Sequence, residues 1–176
     1  VYELYFGTLY NPSMYLNHQF LSLIQALEAY HRRIYGGKYI SDEDYTRMYK
    51  AFINVIPKNI DPSFRNSLFE KIKYLNELSL RKRLKDLFNK YKNIVKPIIP
   101  DKKKFIDSIK NTRDFLTHYN KDLEFKSKKG QELYWLTQKM KFLLEICFLS
   151  ELGMPDEIIK NLIKRNERYR RLSRQR

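Results

Sequence analysis

Apolar side chains return at three- and four-residue intervals along nearly the whole chain, and that spacing restricts it to a helical fold. Asn11-Pro12-Ser13 reads as a helix start, with Phe20, Leu23, Ile24 and Leu27 on one face and a stop at Gly36-Gly37. Ser41-Asp42-Glu43-Asp44 opens a second helix, its acids complementing the helix dipole, and this one ends before Pro57. Asp61-Pro62 starts a third. Ser79 caps a fourth, which carries Leu80, Leu84, Leu87 and Phe88 and stops before Pro97. Asp101 precedes a fifth, with Phe105, Ile106, Ile109 and Leu116, followed by a polar loop from Tyr119 to Gly130. The sixth, Glu132 to Leu152, is apolar around much of its circumference, and such a helix belongs at the centre of a bundle, Trp135 included. Gly153 stops it and Pro155 opens a last, basic helix. The expected fold is all-α, an antiparallel helical bundle with short connections. Residues 1–10 read as extended and as the end of a preceding domain or linker, residues 11–154 as the bundle, and residues 155–176 as a basic C-terminal helix.

A length of 176 residues suits one domain with a sizeable core, and five glycines and six prolines argue against a turn-rich β-protein or a disordered tail. Charges interrupt every apolar stretch before bilayer length, so no membrane partner is expected. One cysteine, Cys147, excludes an internal disulfide and a Cys-rich zinc site. No secretory signal opens the chain, which makes a reducing cytoplasm the default. The start at Val1 rather than Met reads as a piece of a longer protein.

The formal net charge is +15, and two segments carry all of it. Arg81 to Lys104 holds ten basic residues against Asp86 and Asp101, and Lys160 to Arg176 holds eight against Glu167. Such a surplus favours a polyanion, either nucleic acid or an anionic lipid surface, although a solvated helix face would read the same way.

Several kinds of chemistry drop out. The scattered glycines form no phosphate loop after a strand. His18, His31 and His118 lack the i, i+4 spacing of a helical zinc pair, so neither metal nor cofactor is expected. Cys147 lies in the most apolar helix and reads as an inert core thiol. One local constellation remains, Asn111-Thr112-Arg113-Asp114-Phe115-Leu116-Thr117-His118-Tyr119-Asn120, where the fifth helix meets the polar loop. An arginine supplies a planar fork of donors suited to phosphate oxygens, and a histidine takes and returns a proton near neutral pH. Asp114, one turn before His118, is placed to orient the imidazole. RNA cleavage by its own 2′-hydroxyl needs those functions and no metal. The same residues also read as a helix-end cation and a C-terminal cap. Five residues at about 100° each set Arg113 and His118 about 140° apart. They converge only if the helix end distorts or a second copy of the chain brings its own pair alongside.

Arg, four residues, His, with a polar residue directly after the Arg, resembles the motif of the HEPN superfamily. The stretch Phe20 to Arg33 looks like the opening helix of ApeA-like HEPN domains. The resemblance runs from about Pro12 to Leu152. It implies a helical bundle that forms a homodimer, with the Arg and His of both chains lining one cleft. In catalytic members that cleft is a metal-independent endoribonuclease site, often in phage defence or toxin systems. Carried onto this chain, His118 is the general acid or base, Arg113 the phosphate-binding cation, and Asp114 the polar residue shaping the site, where Asn is common. Lys102, Lys103, Lys104, Lys110 and Lys121 are the candidate RNA contacts. Glu28 and His31, near the end of the first helix, are candidates to face the same cleft, with a salt bridge inside the bundle the favoured role for Glu28. Such domains close longer proteins behind a mostly β part, which implies an upstream sensor domain. Some members keep the fold without cleaving RNA, and the alternative is a noncatalytic helical module that binds nucleic acid or a protein partner.

Overall fold

In a computed structural model describing residues 1–174, all named elements are helices. Gln175 and Arg176 lie outside the described residues, so the second basic segment is followed only as far as Arg174. Ten α-helices and one 3-10 helix follow in order: α1 (Tyr2–Tyr10), α2 (Leu16–Tyr35), α3 (Asp42–Val55), α4 (Pro62–Lys73), α5 (Leu80–Lys90), α6 (Lys92–Val95), α7 (Lys102–His118), the 3-10 helix (Lys121–Lys126), α8 (Gly130–Glu151), α9 (Asp156–Arg165) and α10 (Glu167–Arg174). The all-α expectation holds.

Side chains set the helix ends. Ser41 accepts from the Asp44 N–H at 3.1 Å, Asp61 from Phe64 at 2.8 Å, and Asp101 from Lys104 at 2.8 Å, each satisfying a first-turn donor. Gly36 and Gly153 have φ of 76° and 78°, the left-handed conformation that ends α2 and follows α8. Helix α2 begins only at Leu16, because the Asn11 carboxamide is engaged by the Ser13 hydroxyl at 2.7 Å instead of capping a helix. The last basic stretch is two helices rather than one. Asn166 breaks it, its side chain accepting from the Arg168 N–H at 2.9 Å and starting α10.

Two units divide the chain. The larger contains Val1–Ile34 and Leu80–Arg176, and the smaller Tyr35–Ser79. In the larger, α8 is the spine, with Met140, Phe142, Leu143 and Leu144 all at 0 % exposure. They join Phe20, Leu23 and Leu27 of α2, Leu84 and Leu87 of α5, and Ile106 and Ile109 of α7 in one apolar cluster. Each such side chain contributes about 1.5–3 kcal/mol when fully buried. Cys147 is buried there, and burial raises its thiol pKa well above the ordinary range.

Residues 1–10 correct the extended reading. They form α1, with Tyr5 and Thr8 buried one turn apart. The Tyr5 hydroxyl donates to Glu145 Oε1 at 2.5 Å and the ring meets Phe148 edge-on, so tertiary contacts override the strand preference of a Tyr- and Phe-rich segment. Trp135 is corrected too. It is partly buried, on the margin of the cluster rather than within it.

The smaller unit is a helical hairpin of α3 and α4 in which neither helix buries a residue fully. The Tyr45 hydroxyl donates to the Ile72 carbonyl. Asn76 is buried, accepts from the Tyr39 and Ile40 N–H groups at 3.2 and 3.0 Å, and donates back to the Ile40 carbonyl at 3.0 Å.

Candidate active site

Helix α7 places the Arg–His pair. Its inner face buries Phe105, Ile106, Ile109 and Thr112, which leaves Arg113 and Asp114 half-buried and His118 exposed on the last turn. The helix stays regular through His118 and ends on Tyr119, whose φ of 48° is left-handed and whose N–H reaches the Phe115 carbonyl at 2.8 Å. A bulky residue at positive φ is uncommon, and here it turns the chain sharply beside the candidate histidine. The polar loop then forms the 3-10 helix, started by the Asn120 side chain accepting from Asp122 at 3.0 Å. Thr112, in the same constellation, ties this loop back. It accepts from the Lys128 N–H at 2.9 Å, while the Lys129 ammonium lies 5.2 Å from the centroid of Phe115.

Asp114 is the electrostatic hinge of the motif. Its Oδ2 accepts from Lys110 Nζ at 2.8 Å and its Oδ1 from Arg113 Nη1 at 3.1 Å. Burial opposes its ionisation, but the bonds to Lys110 and Arg113 prevail and hold the carboxyl below the usual range. Both oxygens therefore face cations, and no hydrogen bond joins Asp114 to His118 among the described residues. The carboxylate positions the arginine instead of the imidazole. With no distortion of the helix end, Arg113 and His118 of one chain point about 140° apart.

The five lysines separate into different settings. Lys102 donates to Asn89 at 2.9 Å, Lys110 is held by Asp114, Lys103 and Lys121 are exposed, and Lys104 lines a cavity. His31 is buried, with Nε2 3.3 Å from Asp86 Oδ2 on α5, so it is no part of an open cleft. No group of three or more His, Cys, Asp or Glu side chains is placed to hold a metal ion among the described residues, and no helix there is long and apolar enough to cross a membrane.

An all-helical chain with an Arg and a His five residues apart at a helix end has the features of a HEPN-type domain. A family model of Apea-like HEPN domains matches residues 21–158, and the chain belongs to that family. Nothing among curated proteins and nothing among solved structures matches it.

Proposed function

We propose that this protein is a metal-independent endoribonuclease working as a homodimer, in a phage-defence or toxin setting. The observation that carries the reading is the undistorted end of α7, which presents an exposed His118 and a carboxylate-held Arg113 on different sides of one helix. One copy cannot close those groups on a single phosphate, whereas two copies side by side supply a His118 and an Arg113 from opposite directions. The 2′-hydroxyl gives its proton to one imidazole and attacks the adjacent phosphorus. The bond from phosphorus to the 5′-oxygen breaks, and the other imidazole protonates that oxygen. Arg113 faces the charge that accumulates on the phosphorane. The products are a 2′,3′-cyclic phosphate and a 5′-hydroxyl.

The test is cleavage of RNA by the purified protein in EDTA, with end-group analysis. His118→Ala is expected to lose about 10²–10⁴-fold in rate and Arg113→Ala about 10²–10³-fold, with melting temperature preserved. DNA is expected to survive, since it lacks the attacking hydroxyl. A 5′-phosphate product or a requirement for magnesium would overturn the mechanism. Family membership by itself supports a nucleic-acid-related role. A noncatalytic RNA-binding module is favoured by one observation, the partial neutralisation of Arg113 by Asp114, and RNA binding with no cleavage by the wild type would select it.

A further inference from the structure

Three cavities in the larger unit adjoin through shared lining residues, and the motif uses none of them. The first, about 340 Å³, is walled by Phe105, Trp135 and Leu136, with Lys104 and Lys139 at its edge. It shares Pro100 with an open second cavity of about 620 Å³ that Lys96 and Ser173 border. It shares Trp135 with a third of about 310 Å³, where Arg168 and Arg171 stand. The cavities thus bring together the two basic segments, which are distant in sequence.

We infer that these cavities form one groove that holds single-stranded RNA, with a base against Trp135 and phosphates along the basic rim. The inference rests on the reading of the protein as one that acts on RNA, and it names where the strand lies outside the catalytic pair. An aromatic face between cations is what a single strand needs, because each unpaired base offers a flat face and each linkage a negative charge. A duplex buries those faces. The carboxylates nearby are already engaged: Asp101 caps α7, Glu132 accepts from Lys128 at 2.7 Å, and Glu167 from Arg171 at 2.6 Å. Burial and the neighbouring Lys104 together hold the Lys139 ammonium pKa below its ordinary value, and a phosphate beside both lysines relieves that crowding.

Trp135 is the sole tryptophan of the chain, so its emission reports on the groove alone. The experiment titrates a single-stranded oligouridylate of about twelve nucleotides, within the range of single-strand site sizes, into the full chain carrying His118→Ala. Binding is followed by anisotropy and by Trp135 fluorescence. The expected result is saturable quenching that tracks anisotropy, with Kd about tenfold weaker or more in Lys104→Glu/Lys139→Glu and no quenching by duplex RNA. Full anisotropy binding with unchanged Trp135 emission overturns the inference, and that readout needs no groove variant to fold. RNA cleavage by the unsubstituted protein is measured beside it. Cleavage with a silent Trp135 removes the groove and leaves the ribonuclease standing. Quenching without cleavage keeps the groove and removes the enzyme.

Discussion

His31 is fully buried, with Asp86 at 3.3 Å and Arg83 among its charged neighbours. Burial lowers its pKa most strongly, the Asp86 bond raises it, and Arg83 lowers it again, so the neutral imidazole is the folded form. A folded pKa below the unfolded value near 6.5 means that the unfolded chain binds the proton first. The contribution is fully present above about pH 6.5 and is lost as pH falls through the folded pKa. Melting temperature is therefore expected to drop on acidification from neutrality, with a flatter profile in His31→Gln. Asp114 follows the same sign in a lower window. Its depressed pKa stabilises above about pH 3.9, and that contribution is lost as pH falls through the folded value. Asp114→Asn removes a carboxylate from the motif and releases Arg113 toward phosphate. RNA affinity is expected to rise about two- to fivefold, the size of a partly exposed ion pair, as anisotropy would read.

Helices α1 and α10 are both fastened to α8 through one side chain. Glu145 accepts from Tyr5 on one oxygen and from Arg168 and Tyr169 on the other. Burial and that carboxylate push both tyrosine hydroxyls well above their ordinary pKa, so they remain donors. Lys141 adds a contact to the Thr8 carbonyl at 3.4 Å. Hydrogen bonds to a charged group contribute about 1.5–3 kcal/mol each, so Glu145→Ala is expected to destabilise by at least that much. Hydrogen exchange should quicken in α1 and α10 together while the centre of α8 stays protected. Loss of protection in only one of the two helices would show that they are held separately. Within α8, Leu143→Ala is expected to cost about 2–5 kcal/mol in denaturant unfolding. Trp135→Ala should cost less than about 3 kcal/mol, because its ring borders cavities on two sides.

For the molecule as a whole, a charge of +15 sets two salt dependences of opposite sign. RNA binding is expected to weaken with salt by roughly 0.7 log units per log unit for each phosphate contact on a single strand. The proposed homodimer brings two strongly basic chains together, so salt screens their repulsion and should tighten the dimer. Sedimentation across ionic strength checks the second trend and anisotropy the first. A dimer that loosens with salt would mean that ion pairs, rather than apolar contacts, hold it.

Local chemistry made the helices legible: Ser41, Asp61 and Asp101 cap as their positions promise, and Gly36 and Gly153 stop what precedes them. The R-x4-H motif and its place at the end of α7 were readable for the same reason, since spacing along one helix is a local property. Residues 1–10 were not, because their helix depends on Glu145 and Phe148, more than a hundred positions away. Nor was the partner of Asp114, since the motif permits a bond to His118 and only rotamers and packing assign the carboxylate to Lys110 and Arg113. Trp135 shows the limit most clearly. Its apolar helix predicted a core residue, but whether neighbouring helices close over a side chain depends on their docking, and α7 and α10 leave it lining a groove. The sequence alone determined the helices whose caps and periodicity are local, and the residue types that could do chemistry. Only the tertiary structure decided which of them meet, because contact between distant segments depends on how formed helices pack.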